Sequence, residues 1–212
     1  DACHGINAKF KGKPLGTFGL TGCFSMHPLK NLNVWGDGGY IVTESEEMHD
    51  KLVLMRNHGL INRNECDKFT YNSRLDSIQA IVANHLLKKI DQITDSRIKN
   101  AAEYDKQLSN IPQITIPNRS TFVKQVYHIY VVRAKRRNEL KKYLNHNGID
   151  AKVHYPIPMH LQPAAKKFGY KKGDLPVSEM VCDTVISMPV HEFVTSEQID
   201  YVVSKIRDFY AH

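Results

Sequence analysis

Two short β-type runs enclose a glycine-rich loop carrying one lysine, and this arrangement limits the fold more than any other feature of the sequence. Cys23-Phe24-Ser25-Met26 follows the turn residues between Gly12 and Gly22 as an apolar strand candidate, and Tyr40-Ile41-Val42-Thr43 is rich in β-branched residues. Between them lie Pro28, Lys30, Trp35 and the glycines Gly36, Gly38 and Gly39. Loops between buried strands are where α/β folds carry their chemistry. A single lysine is ordinarily a solvated surface group. Here the Ser25 hydroxyl, the Lys30 ammonium and close-approach glycine backbone fall in one segment, as an anionic cofactor requires. Trp35 is expected to pack in the core or anchor the loop.

The periodicity around this unit predicts the remaining elements. Thr43 and Glu46 have capping-box spacing ahead of a helix with Met48, Leu52, Leu54 and Met55, ending near His58-Gly59. Leu75, Ile78, Val82, Leu86, Ile90 and Ile93 recur at helical spacing, and the pattern extends to Leu108 as one long helix. A more β-rich region follows, in which Pro112 and Pro117 enclose 113–116, with strands at 126–132 and 149–154 and helices at 138–147, 176–185 and 196–210. The domain boundary is therefore placed after residue 108, dividing the chain into 1–108 and 109–212.

Composition narrows the classes. With 42% hydrophobic and 24% charged residues the chain can build a packed core, which excludes disorder and fibrous repeats. No apolar run reaches a membrane span, and the first residues lack a signal-peptide layout, so a cytoplasmic location is expected. Cys3, Cys23, Cys66 and Cys182 form no C-x-x-C pair, which points to reduced thiols and to no metal site. The net charge of +7 leaves nucleic acid, a membrane surface or an anionic small molecule open. Lys135-Arg136-Arg137, Lys166-Lys167 and Lys171-Lys172 are short, interrupted runs that read as solvated faces, which disfavours nucleic acid.

Several blocks, in order, resemble one family. They are Asp1-Ala2-Cys3-His4-Gly5, Phe24 to Leu32 with Lys30, Gly36-Asp37-Gly38-Gly39, His58-Gly59, Tyr71-Asn72-Ser73-Arg74-Leu75-Asp76 with Gln79-Ala80, His154-Tyr155-Pro156 through His160, and Gly173 to Pro189. Together they are similar to the DegT/DnrJ/EryC1/StrS family of pyridoxal 5'-phosphate (PLP) nucleotide-sugar aminotransferases. The resemblance implies an α/β, aspartate-aminotransferase-like (fold type I) PLP fold. Residues 1–108 would be the C-terminal part of the large PLP-binding domain, and 109–212 the small C-terminal α+β domain. The family carries a further half of its large domain ahead of the position of Asp1, so the chain is expected to be a portion with an incomplete sheet.

By the same resemblance Lys30 forms the internal Schiff base and then shuttles a proton, while Asp1 meets the pyridine nitrogen and His4 the phenolic oxygen. Ser25 binds the cofactor phosphate, and Asn72 reaches the phosphate from a neighbouring subunit, which implies a homodimer with shared sites. His154 and Tyr155 lie near the nucleotide-sugar, and Arg74 is a second anion contact. Simpler readings compete: Asn72 as a polar residue at a helix start, Arg74 paired locally with Asp76, and His154-Tyr155 as a strand end packed under prolines. The implied reaction moves an amino group from glutamate or glutamine to a keto sugar. Asp37 and the block around Arg74 look more like the 3-keto than the 4-keto branch. Lys30 argues against the dehydratase offshoot, which replaces it. A PLP-fold fragment acting as a binding or regulatory module is the non-enzymatic alternative.

Overall fold

A computed structural model describes residues 1–211. In chain order the elements are β1 (Lys9–Phe10), β2 (Lys13–Pro14), β3 (Gly22–Ser25), β4 (Gly39–Val42), α1 (Glu46–Met55), α2 (Ser77–Leu87), α3 (Ile90–Leu108), β5 (Ile114–Thr115), β6 (Val123–Lys124), β7 (Tyr130–Ala134), α4 (Arg137–His146), α5 (Pro176–Thr184), β8 (Val185–Met188) and α6 (Ser196–Ala211). They form two compact units: residues 1–95 with 120–128, and residues 96–119 with the chain from 129 onward.

In the first unit β3 and β4 are antiparallel, with Ser25 opposite Gly39. Among the described residues they pair only with each other. Met26, Leu32 and Val34 are buried beside them, with Ile6, Tyr40, Leu75, Ala83, Leu86 and Ile90 packed around. A second sheet has the order β2-β1-β6. Its β1–β2 turn has positive φ at both Lys11 (48°) and Gly12 (80°), the left-handed pair that a tight two-residue hairpin requires. Pairing of β6 with β1, and donation from Lys11 N to Phe122 O (2.7 Å), draw residues 120–128 into this unit.

The second unit is a three-stranded antiparallel sheet, β5-β7-β8, with helices packed on it. β7 alternates buried and half-buried residues, whereas all four residues of β8 are buried. Tyr104 and Leu108 from α3, Leu140 and Leu144 from α4, and Val202, Val203 and Ile206 from α6 close the core over Tyr130, Val132 and Ile186. Tyr104 stacks on Tyr130 at 4.8 Å, and the Tyr130 hydroxyl donates to Asp105, which also accepts two bonds from Arg119.

Several expectations change. The single helix to Leu108 is two, because at Lys88-Lys89 the backbone tightens, with Lys89 N donating to Leu86 O, before α3 begins. Nothing in that sequence breaks the apolar period. The compact units divide between Asp95 and Ser96 rather than at 108, because Ala101, Tyr104 and Leu108 are buried in the second unit while 120–128 returns to the first. The expected strand at 126–132 begins only at Tyr130, since Tyr127 has positive φ (46°). The expected strand at 149–154 is reduced to a bridge between Lys152 and Ser187. Its donors are used locally, by Ile149 N to Leu144 O and Ala151 N to Ile149 O. The N-cap of α1 is Ser45, whose hydroxyl accepts from Met48 N, while Thr43 instead bonds Leu20 O and Ser45 N.

Candidate active site

Lys30 lies in a loop closed at its base by Met26 N donating to Gly38 O (2.8 Å) and Val34 N to Met26 O (3.0 Å). Within it Lys30 N donates to His27 O (2.8 Å), making a turn that leaves the lysine side chain half-buried. The next residue fixes the turn: Asn31 is buried and its Nδ2 donates to Val126 O at 2.9 Å. Burial pushes the Lys30 pKa below its ordinary value, opposed by the nearby Cys3 thiol. Free amine is therefore more available at Lys30 than at a solvated lysine.

A backbone hydrogen bond to β3 locates the first residues of the chain. Ala2 N donates to Cys23 O (2.8 Å) in β3, so the segment from Asp1 to His4 runs beside the strand that leads to Ser25 and Lys30. Asp1 is exposed and its carboxylate accepts from Cys3 N (2.8 Å). The His4 ring lies 4.3 Å from that of His128, tilted by 55°. Ser25 is half-buried, and its hydroxyl accepts from His27 N (3.3 Å). Phe24 stacks on Tyr40 at 4.7 Å, and burial pushes the Tyr40 phenol up to about 12.

Asn72 and Arg74 come from a different local structure in the same unit. Residues 57–72 fold back on themselves through bridges between Asn57 and Asn72 and between Leu60 and Cys66, with His58 N donating to Tyr71 O and Asp67 N to Gly59 O. Asn72 Oδ1 accepts from Arg74 Nε (3.0 Å), so the two residues form one exposed polar pair. Asn72 is therefore not the helix cap, a position held by Asp76, and Arg74 pairs with Asn72. Trp35 departs from the core-packing expectation. The residue is 78% exposed, and its backbone is anchored by reciprocal bonds with the Gln79 side chain (2.7 and 3.0 Å).

His154 and Tyr155 belong to the second unit. His154 is half-buried with Nδ1 2.9 Å from the Ser187 hydroxyl, and Tyr155 is exposed with its ring edge-on to His154 at 5.4 Å. Burial and the Lys152 ammonium lower the His154 pKa, with Asp150 acting against them. Nearby, His160 Nε2 donates to Glu179 Oε1 (3.0 Å), which also accepts from Gly173 N (2.8 Å). These bonds hold the Glu179 carboxyl below its ordinary range. Asn31, Gln79, His128 and Ser187 are absent from the residues singled out as site candidates. Gln79 and Ser187 stand in motif blocks, but their partners are 44 and 33 residues away, which no local spacing reveals.

The four cysteines are free, and among the described residues no helix is long and apolar enough to cross a membrane. The family model described as "DegT/DnrJ/EryC1/StrS aminotransferase family" matches residues 1–207. A "Pleiotropic regulatory protein" of Geobacillus stearothermophilus is 37% identical over 100% of this chain and 58% of its own length. A dTDP-3-amino-3,4,6-trideoxy-alpha-D-glucose transaminase of Streptomyces venezuelae is 34% identical over 99% of this chain and 55% of its own. The crystal structure of S. venezuelae DesV in complex with a ketimine intermediate superposes with a TM-score of 0.94 and 33% identity, over 100% of this chain and 57% of that one. The chain thus spans a little over half the length of these relatives.

Proposed function

Because the chain belongs to the DegT/DnrJ/EryC1/StrS aminotransferase family, we propose that the protein transfers an amino group from glutamate or glutamine to a keto sugar of a nucleotide-sugar, with pyridoxal 5'-phosphate as cofactor. Lys30 carries the reading: an amine of lowered proton affinity on a short turn, anchored by a buried asparagine and flanked by a hydroxyl and glycines. The donor set fits the cofactor. Asp1 offers a carboxylate, His4 an imidazole, Ser25 a hydroxyl and Lys30 an amine, and the Ala2–Cys23 bond brings the Asp1–His4 segment alongside β3. When bound, the cofactor supplies the electron sink that carbanion chemistry at the donor carbon needs.

The protein's own groups divide the remaining work. Lys30 Nζ acts first as nucleophile and then, as free amine, takes up and returns a proton in each half-reaction. Asp1, His4 and Ser25 would hold the cofactor, the carboxylate toward its ring nitrogen, the imidazole toward its phenolic oxygen and the hydroxyl toward its phosphate. Asn72, with Arg74 beside it, contacts anionic groups across a homodimer interface, and His154 and Tyr155 contact the nucleotide-sugar. The positive surplus of +7 suits a cofactor phosphate and a nucleotide diphosphate. Amination at C3 is favoured by the name of the Streptomyces venezuelae transaminase, which specifies a 3-amino sugar. A 4-keto substrate is the alternative.

Borohydride reduction of the full-length protein followed by peptide mass spectrometry should find pyridoxyl on Lys30. The cofactor absorbance should convert to the pyridoxamine form with glutamate, and both signals should vanish in Lys30→Ala. Cofactor bound at Lys30 with no donor converting it would refute the aminotransferase reading. That result would favour the regulatory alternative, for which the name of the Geobacillus stearothermophilus relative is the specific support.

A further inference from the structure

Ser187 stands on β8 with 4% of its surface exposed, and its hydroxyl lies 2.9 Å from His154 Nδ1. Its backbone is bonded to Lys152 in both directions, with Lys152 N donating to Ser187 O (3.1 Å) and Ser187 N to Lys152 O (2.8 Å). The chain leading to His154 is therefore tied to β8 at its backbone, two residues before the ring that the hydroxyl holds.

A serine hydroxyl has one proton to place, and leaving it unbonded in a buried site costs free energy. Among the described residues the hydrogen bond to His154 is the only one this hydroxyl makes. The hydroxyl therefore donates, Nδ1 accepts, and the neutral imidazole carries its proton on Nε2. We infer that Ser187 is a positioning residue that fixes His154 as an Nε2–H donor toward an oxygen acceptor of the nucleotide-sugar, an inference that rests on the substrate reading proposed above for His154. Charging the ring would put a proton on Nδ1 and force the hydroxyl to turn away with its own proton unbonded. Among the described residues the Lys152 ammonium and the Asp150 carboxylate act on the ring, and the Tyr155 ring stands edge-on to it. Burial and Lys152 oppose the charged form as well, and Asp150 only partly offsets them. The hydrogen bond and the downward shift together favour the neutral ring as the donor.

The test compares the full-length protein with its Ser187→Ala and Ser187→Thr variants. It uses nitrogen-15 NMR of the histidine rings and steady-state kinetics with the keto sugar. The expected result is an acceptor-type Nδ1 and a protonated Nε2 for His154, preserved in Ser187→Thr. In Ser187→Ala the tautomers should mix and the ring pKa rise. The KM for the keto sugar should rise about tenfold in Ser187→Ala while kcat changes by less than about threefold, since the lost interaction is one of binding. Ser187→Thr should restore the KM. A wild-type ring protonated on Nδ1 would overturn the inference, as would a Ser187→Ala variant with unchanged tautomer or unchanged KM. The spectrum needs no turnover, so a full-length protein without aminotransferase activity removes the proposed reaction but not the Ser187–His154 assignment.

Discussion

Lys30 and Asn31 are neighbours of opposite fate, one half-buried and the other 2% exposed. Asn31→Ala removes the side chain that donates to Val126 O and leaves that carbonyl to find another donor, so the first unit should lose about 1–3 kcal/mol in urea unfolding. Lys30→Ala, by contrast, should leave urea stability nearly unchanged while lowering transamination by about 10³-fold or more, as removal of a nucleophile does. Glu179 gives a pH prediction. Its carboxyl is held low by His160 and by the backbone N–H of Gly173, so its folded pKa lies below the unfolded value of about 4.3. The stabilisation is complete above that range and is lost as the pH falls through the lower folded value. Acid titration monitored by tyrosine fluorescence should show an unfolding step that Glu179→Gln makes shallower. None of these pairings can be read in the sequence, because each joins residues whose separation is fixed only by the fold.

Among the local structures, the 57–72 loop matters most to the proposed site because it carries Asn72. Gly59 has φ of +71°, and a Cβ there would collide with the carbonyl oxygen of Lys68 across the loop. Gly59→Ala should therefore cost roughly 2–4 kcal/mol and displace Asn72 and Arg74, seen as a lower melting temperature and weaker phosphate-dependent cofactor retention. The strands around Lys30 were legible because β-branched residues and glycines punctuate them, and α4 and α6 because their apolar stripes face a core. β8 was not, because four consecutive buried residues show no alternation and continue the apolar pattern of α5. The break between α2 and α3 was also silent, since Lys88 and Lys89 are good helix formers. The apolar pattern of α2 was legible as a helix, but Ile78, Ile81 and Leu87 are exposed rather than buried. Amphipathic spacing reports that a face exists and does not report what covers it.

At the scale of the whole molecule the family assignment was legible from ordered blocks along the chain, whereas the division into units was not. A boundary in sequence is one point; the units are joined where the chain passes 95–96, 119–120 and 128–129. A chain cut after residue 108 would lack β6, leaving β1 with one partner instead of two. Hydrogen exchange at Lys11, whose amide donates to Phe122 O, should then be faster by about tenfold or more than in the uncut chain. The same threefold passage governs recombination between relatives. A single crossover cannot exchange the unit that bears His154 and Ser187 for another family member's. The graft must carry two separate inserts, 96–119 and the chain from 129 onward, and keep the host's own 120–128 between them to preserve the β1–β6 pairing and the Asn31 anchor beneath Lys30.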